Sequence, residues 1–325
     1  MDQNTFTLGG ISLPVNTSVS NDREKMIPKG ITYIMEDDIK SEMLHKIMYG
    51  VKANAPVIIT GPKGTGKTTA VSFLAQETKN PLRYIQLTGA TGLDSFVGKW
   101  LVNEHGTYWV NGDLAQAMEN GDWLVLDELN MALAEITAIL NSVMDDRRVL
   151  ILNEKGSDEV IKAHPNFRIF ACINPSEDYA GTKEMNLATV DRFDVSIETE
   201  YPSPRKEREI VLKNAKVTID DVPGQRQKEG VITRMVKLAN ALRSLNMEQK
   251  LIFDCSTRNL ISWAAACSMY PVKEAAEFTL ISKADKEDRK IIRDEMNKLF
   301  RDNEQWSKRE VPVAEIPSEE VSIDA

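Results

Sequence analysis

The chain has 325 residues, 42% hydrophobic and 27% charged, a composition that excludes disorder at large and is long enough for two domains with cores of their own. A net charge of −9 and a pI near 5.1 give no global attraction to a phosphate backbone, so nucleic acid is not the default partner, without excluding a local basic patch or pore. No apolar run approaches the ~20 residues of a membrane span, and the N-terminus lacks a basic-then-apolar signal pattern, which together predict a cytoplasmic protein.

Residues 1–29 mix Asn, Thr, Ser, Gly and Pro around the short apolar piece Ile11 to Val15, and read as an N-terminal arm, either mobile or an edge strand on a neighbour. From Glu36 to Lys52, Ile39, Met43, Leu44, Ile47, Met48 and Val51 recur at helical spacing. Val57-Ile58-Ile59-Thr60 then predicts a strand running straight into Gly61-Pro62-Lys63-Gly64-Thr65-Gly66-Lys67-Thr68-Thr69, after which Ala70 to Ala75 reads as a helix. Strand, glycine-rich loop and helix together make a phosphate cradle. Backbone N–H groups and the helix N-terminus face the anion, Lys67 reaches the terminal phosphates, and Thr68 holds Mg²⁺. The expected ligands are ATP and Mg²⁺.

Leu82 to Leu87 predicts a second strand, and Trp100-Leu101-Val102 with Thr107 to Val110, around Asn103-Glu104-His105-Gly106, predicts a hairpin. Trp100, Tyr108 and Trp109 in it form either a stacking platform or aromatic cross-strand pairs that stabilise the hairpin. The segment 93–110, bracketed by Gly92 and Gly98, is expected to carry a client contact with Phe96 and Lys99 at its tip. The alternative is that Phe96 and Trp100 lie buried beneath the hairpin. Asn111-Gly112-Asp113 opens a helix through Met118, with Asp113 as its cap.

Trp123 to Leu126 is uninterruptedly apolar, as a strand buried on both faces should be, and ends in Asp127-Glu128-Leu129-Asn130. Strand ends of a parallel sheet share one edge, so both carboxylates face the phosphate loop. Asp127 is suited to organise Mg²⁺, and Glu128 to orient and deprotonate the attacking water. Asn130 is expected to cap the helix whose spacing begins at Ile136. Val149 to Leu152 and Glu159 to Ile161 predict a second hairpin. Phe167 to Ile173 predicts a fourth strand, ending in Asn174-Pro175. Asn174 either holds the attacking water or γ-phosphate, or merely starts a turn before Pro175.

In order, these pieces with Phe96-Val97-Gly98-Lys99, His164 to Ala171, Asp191-Arg192-Phe193-Asp194 and Tyr201-Pro202 resemble the AAA+ ATPases of the MoxR type, and within them the group of CbbQ, NorQ and the cobaltochelatase CobS subunit. The resemblance covers residues 30–265. It implies a five-stranded parallel sheet flanked by helices, then a smaller helical lid, with subunits in a hexameric ring. It names the two hairpins as the insertions of this clade, Asn174 as the first sensor, Arg192 as the arginine finger and Arg258 as the second sensor. Against these stand a surface pair of Arg192 with Asp191 or Asp194, competition from Arg147 or Arg148, and a solvated helix-start role for Arg258.

Pro202 and Pro204 mark a boundary, giving a nucleotide-binding domain over 30–202 and a helical lid over 203–302. Arg205 to Glu209 opens a helix, Val231, Met235, Leu238, Leu242 and Leu245 repeat at helical spacing, as do Ile292, Met296 and Leu299, and Ser256-Thr257-Arg258 starts another helix. Residues 303–325 read as a solvated acidic tail. Cys172, Cys255 and Cys267 are isolated and read as core thiols of a reducing compartment. His45, His105 and His164 lie at no metal-ligand spacing. The expected function is an ATP-driven ring that remodels or activates a protein partner, as relatives do when assisting cofactor or metal insertion beside a second protein with a metal-dependent adhesion-type domain. The alternatives are an ATP-dependent nucleic-acid motor or loader, and an assembly part that hydrolyses little; intact Glu128 and Lys67 speak against the last.

Overall fold

The computed structural model describes residues 4–35, 38, 42–156, 159–174, 185–215 and 230–301. The chain divides into two compact units, Met1–Lys206 and Glu207–Ala325. Pro175, the acidic tail and Ile39 of the first expected helix lie outside the described residues.

In the first unit, β1 (Thr5–Leu8) and β2 (Ile11–Pro14) form an antiparallel hairpin, followed by the short α1 (Asn21–Glu24). Then come α2 (Met43–Ala53), β3 (Val57–Thr60), α3 (Lys67–Glu77), β4 (Leu82–Gln86) and α4 (Leu93–Phe96). The hairpin β5 (Gly98–Asn103) and β6 (Gly106–Asn111) precedes α5 (Asp113–Asn120) and β7 (Trp123–Asp127). After α6 (Ala134–Met144), a second hairpin, β8 (Val149–Ile151) with β9 (Val160–Lys162), leads into β10 (Arg168–Ile173), α7 (Leu187–Val190) and β11 (Val195–Glu198). The main sheet is parallel, five-stranded and ordered β11-β3-β10-β7-β4.

Both faces of this sheet are buried, and the period of two in each strand says which residue goes where. Ile58, Leu124, Leu126, Ile169 and Ala171 face one core with α5 and α6. Val57, Ile59, Trp123, Val125, Phe170 and Cys172 face the other, with α2 and α3. The N-terminal hairpin belongs to that second core: Leu13 is buried in it, and Phe6 sits edge-on to Phe73 at 6.2 Å. The arm thus packs on its own unit. A buried carboxylate, Asp122, ties the edge together by accepting from Arg83 Nε at 2.9 Å and Arg23 Nε at 3.0 Å. Two guanidiniums on a fully buried carboxylate supply the compensation that its desolvation requires.

The first hairpin corrects the expected contact tip. Phe96 is fully buried in the core, while Trp100 on the hairpin is 48% exposed, so the exposed apolar residues there are Trp100, Val102 and Tyr108. Trp100 also sits edge-on to Trp109 at 5.6 Å, directly across the ladder. Gly98 is no loose hinge: at φ +141 a Cβ there would lie 2.5 Å from the Val110 carbonyl and 2.6 Å from the Trp109 ring. Its absent side chain lets the strands close. Asp113 does not cap α5. Gly112 occupies that position without a side-chain bond, and Asp113 instead accepts from Arg83 Nη1 at 3.0 Å.

The second unit, taken by itself, is helical in its described residues: α8 (Pro204–Asn214, begun in the first unit), α9 (Val231–Met247), α10 (Thr257–Ala266), α11 (Val272–Thr279) and α12 (Lys286–Leu299). Its core gathers Val211, Leu238, Leu242, Leu260, Trp263, Ile292 and Met296. Inside, Glu207 accepts a two-pronged bond from Arg243 at 2.6 and 2.8 Å, and a third from the Thr257 hydroxyl at 2.6 Å. Such a fork fixes geometry as well as charge. Ser256 starts α10 with a reciprocal cap to Asn259. Among the described residues no helix is long and apolar enough to cross a membrane.

Candidate functional site

The loop after β3 is shaped by two glycines for different reasons. Gly61 donates its N–H to the Ile173 carbonyl at 3.2 Å and passes so close to β11's end that a Cβ would lie 2.3 Å from the Thr199 carbonyl. Gly66 has open space around it but sits at φ +91, the left-handed turn that releases the chain into α3. Between them, Thr65 Oγ1 donates to the Pro62 carbonyl at 3.0 Å, and the Tyr201 hydroxyl donates to the Lys63 carbonyl at 3.1 Å. Gly64 also adopts positive φ, and Thr68 and Thr69 open α3, with Thr68 Oγ1 4.0 Å from Cys172 Sγ.

Lys67 is 7% exposed, and its ammonium donates to the carbonyls of Gly61 (2.6 Å) and Pro62 (2.9 Å) and to Asn174 Oδ1 (3.0 Å). All three partners are neutral, and among the described residues it has no ion pair with a carboxylate. Burial holds the ammonium below the ordinary lysine range, while the charges of Asp127 and Glu128 act in the opposite direction. A buried cation lacking a counter-ion, beside a loop at positive φ and a helix N-terminus, fits an anionic phosphate.

The two carboxylates stand beside it at the end of β7, whose Asp127 is in register with Gln86 of β4 and Cys172 of β10. Asp127 Oδ1 accepts from the Glu128 N–H at 3.1 Å, and its Oδ2 accepts from the Tyr84 hydroxyl. Glu128 Oε2 accepts from Gln86 Nε2 at 3.3 Å. Glu128 itself sits at φ 57, ψ 42, a left-handed conformation that costs a non-glycine residue about 1 kcal/mol or more and clusters at functional sites. The Thr68 hydroxyl and the Asp127 carboxylate offer oxygen donors of the kind Mg²⁺ takes.

Asn130 is not a helix cap. It lies in the single 3₁₀ turn Leu129–Met131, α6 begins after Leu133, and the Asn130 side chain donates to the Asn174 main-chain carbonyl at 3.0 Å. Sequence reasoning missed this bridge, and missed Tyr84 and Gln86. Both sit two residues apart on β4, on one face at the sheet edge, a placement visible only once the strand order is known.

Among the arginines, Arg192 is exposed just after α7, and among the described residues it makes no side-chain hydrogen bond or ion pair, with Asp191 and Asp194 included. Arg147 is paired with Asp145 at 2.7 Å. Arg148 donates to the carbonyls of Asn54 (3.4 Å) and Phe167 (3.3 Å). Arg258 is exposed in the first turn of α10 in the second unit.

A parallel sheet carrying a glycine-rich phosphate loop after β3 and two carboxylates at the end of β7, with β10 between the two strands, defines a P-loop ATPase core. Residues 56–193 match the AAA domain of the dynein-related subfamily, and residues 207–301 match the CbbQ/NirQ/NorQ C-terminal family. Protein NorQ of Paracoccus denitrificans is 31% identical over 211 residues, covering 60% of this chain and 77% of that protein. Protein CbbQ of Hydrogenophilus thermoluteolus is 30% identical over 200 residues, covering 58% and 73%. Midasin of Dictyostelium discoideum is 35% identical over 162 residues, which span 50% of this chain and 3% of that protein. A RuvB variant of Thermotoga maritima aligns with a TM-score of 0.43 at 18% identity, over 80% of this chain and 70% of that one. The chain belongs to the CbbQ/NorQ group of MoxR-type AAA+ ATPases.

Proposed function

We propose that the chain hydrolyses ATP with Mg²⁺ as a ring of identical subunits, hexameric as the resemblance implies, and uses the cycle to remodel or activate a protein partner. The observation that carries the chemical half is the meeting of Lys67, Asn174, Asp127 and Glu128 at one sheet edge. Gly61 to Thr69 cradle the phosphates, and Lys67 exchanges its neutral partners for phosphate oxygens. Thr68 and Asp127 would hold the metal, which when bound would supply charge neutralisation to the transferred phosphoryl group. Glu128 takes the proton of the attacking water, and Asn174 fixes that water or the γ-phosphate. Arg192 serves as the finger for an adjacent subunit: among the described residues it has no side-chain partner to break, unlike Arg147 and Arg148. Arg258 serves as the lid's sensor.

The acidic balance and the absence of any sequence-level basic run support a protein client over nucleic acid. Steady-state ATP turnover of the full chain, alone, with single- and double-stranded DNA, and with a co-purified protein partner, tests the reading. Stimulation by the protein partner supports it, stimulation by DNA alone overturns the client half, and absence of turnover with saturating Mg²⁺ and partner overturns the chemistry.

A further inference from the structure

We propose that Tyr84 is a positioning residue for the metal-organising carboxylate: its hydroxyl, donated to Asp127 Oδ2, fixes the orientation in which Asp127 meets a divalent cation. The inference rests on the proposed ATPase chemistry and adds to it a residue outside every motif that led there.

The geometry begins with register. Tyr84 stands opposite Val125 and Gln86 opposite Asp127, so Tyr84 addresses Asp127 on the diagonal, a distance that an aromatic side chain spans and a shorter one does not. Of the two carboxylate oxygens, Oδ1 is held by the Glu128 N–H at 3.1 Å, a bond that leaves the plane of the carboxylate free to turn about it. Oδ2 is held by the Tyr84 hydroxyl, and two donors on two oxygens stop that rotation. A bond to an ionised acceptor is about twice as strong as a neutral one, so the constraint is not a weak one.

Packing does not explain the residue. Tyr84 is 48% exposed on the edge strand and belongs to neither core flanking the sheet, so its ring buries little. A phenol kept half in water with its hydroxyl on a site carboxylate is placed for that hydroxyl. The same strand supplies Gln86 to Glu128, so β4 sets the orientation of both carboxylates. Tyr84 touches no reacting atom in this arrangement; it acts through Asp127.

The test is Tyr84→Phe in the full-length chain, which removes one oxygen and keeps the ring. Mn²⁺ binding in the presence of a non-hydrolysable ATP analogue is read by electron paramagnetic resonance, and nucleotide affinity is read separately in EDTA. Expected is metal affinity weakened about tenfold, the scale of one lost charge-assisted hydrogen bond, with metal-free nucleotide affinity unchanged and the melting point within a few degrees of the parent. In an Asp127→Asn background, Tyr84→Phe should add nothing to the metal defect. Unchanged Mn²⁺ affinity in the folded single variant, or an equal loss in both backgrounds, overturns the proposal. A parent protein that binds no Mn²⁺ with nucleotide overturns the ATPase reading itself, an outcome distinct from a parent that binds and a variant that binds equally well.

Discussion

Asn130 and Asn174 are joined across two adjacent strand ends, the side-chain amide of the first donating to the main-chain carbonyl of the second at 3.0 Å. Asn174 in turn accepts from Lys67, so the turn after the carboxylates, the end of β10 and the phosphate loop form one bonded series. Asn130 is buried, and among the described residues its own Oδ1 has no hydrogen-bond partner. An unsatisfied buried oxygen is retained at a cost of about 1–3 kcal/mol, which an ordinary core position would not carry. Asn130→Ala removes that oxygen but also unties Asn174. The expected outcome is a fall in kcat of about tenfold or more with KM for ATP within about twofold, because the lost constraint acts on the group proposed to hold the water or γ-phosphate. Equal kcat in parent and variant would show that the bridge serves folding alone.

Glu128→Gln should keep ATP binding and lose hydrolysis by about 10²–10⁴, since an amide cannot accept the water's proton. Lys67→Ala should lose binding instead, because it deletes a buried cation whose ammonium lies against the phosphate loop. Fluorescent-nucleotide binding and single-turnover hydrolysis separate the two defects. Turnover at the parent rate in Glu128→Gln would show the assigned base to be wrong.

Most of the fold, and the motif half of the site, could be read from residue order because each signal there is local. An apolar run, a glycine pattern and two carboxylates in a row need no knowledge of neighbours. The same holds for both insertion hairpins and for the helix start at Ser256 to Arg258. What could not be read depends on strand order or depth. The edge strand β11 is only four residues with one buried side chain, and was expected only through the resemblance. Asn130 has the composition of a cap, and only the proximity of β10 turns it into a bridge. Tyr84 and Gln86 lie about 40 positions before their carboxylate partners, and that pairing is set by the crossover. For Phe96 the residues leave an exposed tip and a buried ring both open, and depth decides for the ring, which lies in the same core as Leu114 and Met118.

Assembly is testable through Arg192. Arg192→Ala should bind ATP normally and lose turnover, because the finger acts on a neighbour's nucleotide. Mixing it with Glu128→Gln, itself inactive, should restore part of the rate: in a mixed ring an intact finger from one variant meets an intact Glu128 of the other. Mass photometry with ATP and Mg²⁺ should register rings. Failure of the mixture to recover any activity, or full activity from a strict monomer, would sink the assignment.

The hairpin region separates core from surface in one pair of variants. Phe96→Ala vacates a fully buried ring and should cost about 3–5 kcal/mol of stability. Trp100→Ala, at a site 48% exposed, loses an edge-on contact to Trp109 and should cost about 1 kcal/mol. Denaturant melts of both variants check the contrast. A Phe96→Ala protein as stable as Trp100→Ala would contradict the burial on which the corrected reading depends.

The three cysteines give a pH signature. Cys172, Cys255 and Cys267 are buried, and burial pushes each thiol from an ordinary value of 9.0 up to about 12. Thiolate is the nucleophile, so the native protein should resist iodoacetamide at pH 8 and take up three adducts only in denaturant. The sign for stability follows from proton counts. Between pH 9 and 12 the unfolded thiols have ionised while the native ones have not, so the unfolded state binds fewer protons and stability falls as pH rises through that window. Below pH 9 the contribution is flat. Cys172 adds a positional check, since its sulfur lies 4.0 Å from Thr68 Oγ1 behind the phosphate loop. Any slow native labelling there reports opening of that loop, and bound ATP should suppress it. Stoichiometric labelling of Cys172 within minutes at pH 8, undiminished by ATP, would mean that the sulfur is not enclosed behind the loop.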